Sequence, residues 1–224
     1  MDSRGEDGYD LVSSHALSVT AMLEMVESQD DEVVVLSVKM LSALCWWRRT
    51  AYDAVLAALT QFAADRQLTT FWTVLLRIVD ADFEGGAEVN AEAVSGSTKL
   101  QLHGVLLINA ITNTPWLVLE DRVFIRRHLS ALGFDSILSA LTMRTGTADP
   151  DHEALMEQIE VYSITKQQDD HEKMIGDTDL SDPEAMWRVI KSNAIHSGFL
   201  DDLTRILQVF KIQFFFVCDQ NGVF

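Results

Sequence analysis

The stretch KLQLHGVLLINAITN, residues 99–113, decides the fold class. Residues 105–111 are apolar on nearly every side of a helix, and Asn109 is the polar exception. A helix that is apolar all round is buried against neighbours on several sides. Thr114 and Pro115 follow it, and a proline ends a helix because its ring fixes the backbone and restricts the residue before it. The pattern therefore predicts an inner helix packed between other helices.

Helical periodicity extends in both directions from this stretch, because apolar residues recur there at three- and four-residue spacing. The glycine and serine pairs of residues 80–98 predict a loop. Asp30 or Asp31 is predicted to cap the second helix, and Gly133 is predicted to end the helix before it. The predicted helices cover about 15–27, 31–47, 50–66, 71–79, 99–113, 118–132, 134–141, a long segment from 151, 183–193 and 199–210.

No convincing strand pattern occurs before the C-terminus, so the sequence predicts an all-α protein. About ten helices with short connectors favour a stack of helical hairpins, an α-solenoid, over a four-helix bundle. No strict repeat period is present. The predicted organisation is a flexible acidic N-terminus over 1–13, one helical region over 14–210 and an apolar tail over 211–224. The tail is interpreted as an apolar strand or a run-on helix, and its origin as either a truncation scar or an interface whose partner lies outside this chain.

The charge and the composition exclude several classes of function. A net charge of −17 disfavours nucleic acids and anionic membranes and favours a basic peptide or tail as partner. Cys45 and Cys218 have no CxxC partner, which favours the reducing cytosol. The N-terminus lacks a signal-peptide pattern, and no apolar run is long enough for a membrane span. A cytoplasmic protein is therefore expected.

Catalytic and metal-binding motifs are missing from the sequence. The six histidines lie in unrelated contexts, and GxSxG, P-loop and GxGxxG motifs are absent. The run from Asp169 to Glu172 holds potential metal ligands, but adjacent residues on a helix point in different directions. The sequence predicts neither an enzyme nor a metal or cofactor site.

Several segments, in this order, resemble diaphanous-type formins. Residues 38–45, VKMLSALC, resemble a helix that reads KLLSALC in that family, and residues 102–111, LHGVLLINAI, resemble its LINAL helix. Residues 121–129, DRVFIRRHL, and 132–134, LGF, resemble the segment that follows. The resemblance covers most of residues 15–142 and continues more loosely over 155–210.

This resemblance implies the GTPase-binding and formin homology 3 region, a right-handed stack of armadillo/HEAT-like repeats. Such a region binds the formin's own C-terminal autoregulatory helix, and an active Rho-family small GTPase competes with that helix to free the actin-assembling domain. An autoinhibitory, cytoskeleton-associated role is implied, in which actin is reached only indirectly. About a dozen residues precede the first helix and no proline-rich actin-nucleating segment follows Phe224, which departs from the family. The alternative is a generic armadillo or HEAT-type adaptor with another protein partner.

The resemblance also implies a peptide groove along the inner helices, which would receive an amphipathic helix. Its matching residues here are Val105, Leu106, Ile108 and Asn109. Each apolar member is equally explained as a core residue. Asn109 must find hydrogen-bond partners, either on a neighbouring helix or in the groove, because an unpaired buried amide costs about 1–3 kcal/mol.

Two arginines, Arg122 and Arg126, share one helix face at a spacing of four residues. They are predicted to pair with acidic residues of the same fold, such as Glu120, or to receive a partner's carboxylate. The acidic cluster formed by Asp169, Asp170 and Glu172 is interpreted as solvated charge or as an attraction for a basic tail.

Overall fold

All regular secondary structure that the computed structural model describes is helical, which confirms the predicted all-α class. The structure describes residues 16–80, 97–143, 150–176, 182–196, 199, 201–206 and 208. The predicted N-terminus over 1–13, the tail over 211–224 and most of the predicted loop over 80–98 lie outside these residues. The chain forms two compact units, Met1–Asp170 and His171–Phe224, so the region predicted over 14–210 spans both.

Eight helices that the structure describes begin in the first unit, and their order follows the chain. They are α1 (Ala16–Met25), α2 (Asp31–Trp47), α3 (Arg49–Asp65), α4 (Phe71–Val79), α5 (Thr98–Thr112), α6 (Leu119–Ala131), α7 (Phe134–Met143) and α8 (Pro150–Gly176). The last turns of α8 belong to the second unit, which also contains α9 (Pro183–His196) and the helical residues 201–206. None of the described helices has the length and apolarity needed to cross a membrane.

The capping residues explain several helix boundaries. The Asp30 carboxylate accepts a hydrogen bond from the backbone N–H of Glu32 at 3.0 Å, as predicted for the start of α2. Ser97 caps α5 by accepting from the Leu100 N–H at 3.3 Å. Gly133 has a φ of 92°, a left-handed conformation that lets the chain turn from α6 into α7.

The helices α2, α5 and α8 lie side by side and run parallel. Lys99 at the start of α5 pairs with Glu32 at the start of α2, and Thr114, just after α5, donates to the Cys45 carbonyl near the end of α2 at 3.3 Å. Asp151 at the start of α8 acts electrostatically on Lys99, and Asn109 farther along α5 bonds to the middle of α8. Every third helix of the first unit therefore joins one row, an arrangement compatible with an α-solenoid.

One contiguous apolar core joins α1 to α7 with the first half of α8. Its fully buried members include Leu23, Leu41, Leu59, Leu76, Leu107, Phe134, Leu141, Leu155 and Tyr162. Cys45 belongs to this core, and burial raises the pKa of its thiol to about 12. The thiol therefore stays protonated near neutral pH and acts as a small packing residue.

The closest approach of α4 to α5 depends on Gly104. A Cβ built on Gly104 would lie 2.7 Å from Val79 Cγ2 and 3.2 Å from the Val79 backbone nitrogen. Gly104→Ala is therefore expected to lower the free energy of unfolding by about 1–3 kcal/mol, although alanine favours a helix by about 1 kcal/mol. Urea unfolding followed by circular dichroism measures this loss.

Gly176, at the end of α8, provides the matched control for that substitution. A Cβ there meets nothing within 4 Å, so Gly176→Ala is expected to leave the stability unchanged or slightly raised. Equal stability of the two variants would contradict the close packing of α4 on α5.

Candidate protein-interaction site

The structure places three of the four predicted groove residues in the core. Val105 and Ile108 are 0% exposed and Asn109 is 5% exposed, whereas Leu106 is half-buried. The cause is that α5 packs against α2 and α4 and is joined to α8 through Asn109. The open groove predicted along these residues is therefore not present in the described part of the chain.

Asn109 resolves the choice between a neighbouring helix and an open groove. Its side-chain nitrogen donates to the backbone carbonyl of Gln158 at 2.9 Å and to the Gln158 side-chain oxygen at 3.2 Å. Gln158 lies on α8, so the amide joins α5 to α8. A peptide could contact Asn109 only by displacing α8 from this position.

Both predicted pairing arginines bind one buried carboxylate, that of Asp169 on α8. Arg122 donates to Asp169 Oδ1 from Nη2 at 2.8 Å and from Nε at 3.0 Å, and Arg126 Nε donates to Asp169 Oδ2 at 2.9 Å. The side chains of Arg126 and Asp169 are only 2% and 7% exposed. The prediction of pairing within the fold is confirmed, but the partner is Asp169 and not Glu120.

The surroundings of Arg126 make this ion pair part of a larger polar network. Arg126 also donates to the Asn113 side chain, and its guanidinium carbon lies 5.2 Å from the centre of the Tyr162 ring. Tyr162 in turn packs edge-on against Phe134 at 5.1 Å. The network therefore attaches α8 both to the end of α5 and to α6 and α7.

A second ionic contact holds α8 near the start of α7. Lys166 donates to the Ser130 hydroxyl at 2.9 Å and to the Asp135 carboxylate at 2.6 Å. These side chains are more exposed than the Asp169 pair, so their contribution is smaller. We call the set of Arg122, Arg126, Asp169 and Asn113 the α8 latch, because it is the buried part of this attachment.

The prediction that Asp169 is solvated is wrong, because Asp169 is only 5% exposed. Asp170 and Glu172 of the same predicted cluster are exposed, as expected. The helical period could have separated them, since Asp169 follows Leu155, Ile159 and Tyr162 on the buried stripe of α8. An acidic residue in line with the apolar residues of one helix face therefore predicts a buried carboxylate.

An apolar surface that the sequence analysis did not single out lies on α2. Its residues Leu36, Met40, Ala43 and Trp47 recur at a spacing of three or four on one face, while the opposite face of α2 is in the core. Leu36 is 60% exposed, and the other three are partly buried. We call this set the α2 stripe.

Among the described residues, no group of three or more histidine, cysteine, aspartate or glutamate side chains is arranged to hold a metal ion.

The α2 stripe is apolar and its charged neighbours Asp31 and Glu32 are exposed at its N-terminal end. Such a surface is suited to the apolar face of a helix and to basic side chains beyond it. No protein-family model matches the chain, and no curated protein matches it either.

Proposed function

We propose that this chain is a protein-interaction module from the regulatory region of a formin, which binds the formin's C-terminal autoregulatory helix and a Rho-family GTPase. The observation that carries the proposal is the α2 stripe, a row of apolar side chains on the outward face of a helix that is buried on its other face. Leu36 is the exposed member of this row and the other three are partly buried, and a partly exposed apolar row of this kind is suited to docking an amphipathic helix.

The order of the helices supports an armadillo-type stack for this module. Among the described helices, α5 is the third after α2 and α8 is the third after α5. These three helices, α2, α5 and α8, lie side by side. HEAT and armadillo repeats contain two or three helices each, and in the family that this chain resembles successive inner helices form the groove that receives an amphipathic helix. The segments that resemble formins fall on α2, α5, α6 and the start of α7, which includes two members of this row.

Because Val105, Ile108 and Asn109 are buried, the proposed docking surface lies on α2, the neighbour of α5 in the row, and not on α5. Leu106, which is half-buried, is the only one of the four predicted groove residues that an incoming helix could contact without moving α8. The autoregulatory helix would therefore pack its apolar face on Leu36 and Met40. Its basic residues would interact with the acidic surface, because the chain carries a net charge of −17.

A labelled peptide of a formin autoregulatory segment tests the proposal by fluorescence anisotropy. We expect saturable binding in the micromolar range or tighter, weakened by added salt. Leu36→Asp is expected to weaken binding at least about tenfold, because it places a charge where an apolar side chain must dock. Leu36 is exposed, so this variant should keep the circular dichroism spectrum and melting temperature of the wild type.

Met143→Asp is the matched control, because Met143 on α7 is 78% exposed and lies outside the α2 stripe. This variant is expected to bind the peptide as the wild type does. Equal binding by the wild type and Leu36→Asp would remove α2 as the docking surface. No binding by the folded wild type would favour the adaptor function with another partner.

A further inference from the structure

A second apolar surface lies at the junction of α3, α4 and α6, away from the residues of the α2 stripe. A cleft of about 400 Å³ opens there, within the size range of binding sites for small groups. Its walls include Ala63 from α3, Phe71 and Trp72 from α4, and Phe124 and His128 from α6. The cleft uses none of the predicted groove residues and none of the α8 latch.

Aromatic rings dominate the walls of this cleft. The centre of the His128 ring lies 6.4 Å from that of Phe124 and 6.5 Å from that of Trp72, and Phe71 lies 4.1 Å from Trp72. Phe124 is 69% exposed although it is a large apolar side chain at the mouth of the cleft. A further aromatic ring inserted here would find both ring faces and ring edges to pack against.

Two polar atoms in the same walls have no hydrogen-bond partner among the described residues. They are the Thr70 hydroxyl oxygen and the Nε2 atom of His128, and both are buried. Thr70 stands at the N-cap of α4 without making the usual side-chain cap bond. A buried polar atom without a partner is costly, so a ligand that supplies one gains affinity.

The exposed charged residues that neighbour the lining of the cleft along the chain are mainly acidic. Glu120 and Asp121 lie one turn before Phe124 on α6, and Asp65 ends α3 beside the cleft. Arg127 opposes them, whereas Arg66 is engaged by Glu27. A ligand with positive charge beside its aromatic group therefore fits this rim.

From these observations we propose that the cleft binds a tryptophan or tyrosine side chain on a basic peptide of a protein partner. The ring would pack among Trp72, Phe124 and His128, and the indole N–H or phenol O–H would pair with Thr70 or His128. An aliphatic side chain would leave both polar atoms without a partner, and an anionic ligand would meet the acidic rim. The proposal is independent of the peptide-binding role assigned to the α2 stripe.

Isothermal titration with four lysine-rich decapeptides tests this site. They are identical except for one central residue, which is tryptophan, tyrosine, phenylalanine or leucine. We expect the tryptophan and tyrosine peptides to bind at least about tenfold tighter than the leucine peptide and several-fold tighter than the phenylalanine peptide. Equal affinities for all four would indicate attraction by charge alone and would overturn the proposal.

Two substitutions separate packing from hydrogen bonding. Phe124→Ala is expected to weaken the three aromatic peptides about tenfold, whereas Met143→Ala, a truncation of an exposed apolar side chain on α7 outside both the cleft and the α2 stripe, leaves them unchanged. Thr70→Val removes the hydroxyl at nearly constant shape and is expected to shrink the preference for tyrosine over phenylalanine. Unaltered binding by Phe124→Ala would also overturn the proposal, whether or not Leu36→Asp weakens binding of the formin peptide.

Discussion

Replacing Asp169 with alanine is expected to lower the free energy of unfolding by about 3–5 kcal/mol, the cost of breaking a buried ion pair by removing one partner. The variant would leave Arg126, whose side chain is 2% exposed, without a counter-charge in the core. Arg122 is 24% exposed and can regain water, so most of the loss comes from Arg126. Guanidinium unfolding of the wild type and the variant measures the difference.

Asp170→Ala is the matched control for this effect. It makes the same chemical change one residue along α8 at an exposed position, so we expect a change within about 0.5 kcal/mol. A third variant that combines Asp169→Ala with Arg126→Met should recover part of the lost stability, because it removes the unpaired charge and keeps an apolar stem. A small loss for Asp169→Ala, equal to that of the control, would contradict the α8 latch.

Ile108→Asp is expected to prevent folding of the first unit, because it places a carboxylate at a position that is 0% exposed and surrounded by apolar side chains. An effect above about 5 kcal/mol is expected, comparable to the whole stability of a typical domain. Leu106→Asp, two residues earlier on the same helix, is half-buried and should cost about 1–2 kcal/mol.

Circular dichroism and thermal melting of these two variants distinguish a core face from a groove face on α5. A folded and stable Ile108→Asp protein would contradict the burial of α5 between α2 and α8 and would restore the groove that the sequence predicts there. With the burial as observed, loss of peptide binding in Ile108→Asp reports unfolding and not the loss of a contact. Leu36→Asp is for this reason the informative variant in the binding assay.

Local patterns allowed the helices to be predicted well. The period of apolar residues located α2 to α7 within one or two residues, and the chemistry of Asp30 and Gly133 located two of their ends. The helix predicted from residue 151 has no predicted end, and in the structure it continues unbroken through the polar run 166–173 to Gly176. The polar outer face of α8 shows no periodic spacing of apolar residues. The buried stripe on its other face, which packs against the core, stabilises the helix.

The site was harder to predict because its contacts join distant parts of the chain. The shared helix face of Arg122 and Arg126 follows from their spacing, but Asp169 lies more than forty residues away. The same holds for Asn109 and Gln158. An apolar helix such as α5 is compatible with a core and with a groove, and only its packing against α2, α4 and α8 decides between them.

The cleft lined by Trp72, Phe124 and His128 could not be predicted from local sequence patterns either. Phe71 and Trp72 begin α4 and Phe124 and His128 lie on α6, and each pair fits the apolar pattern of its own helix. Their meeting depends on the crossing of α3, α4 and α6, which periodicity does not specify. The unpartnered atoms of Thr70 and His128 are visible only after that crossing is known.

The position of α8 across α5 and α6 closes the predicted groove, and amide hydrogen exchange tests that position most directly. In the wild type we expect residues 155–166 to exchange as slowly as the middle of α5, because Leu155, Ile159 and Tyr162 belong to the same core. Asp169→Ala should speed exchange in this part of α8 while α2 and α3 stay protected. Fast exchange of residues 155–166 in the wild type would contradict this arrangement, since Val105, Ile108 and Asn109 would then be open to a partner.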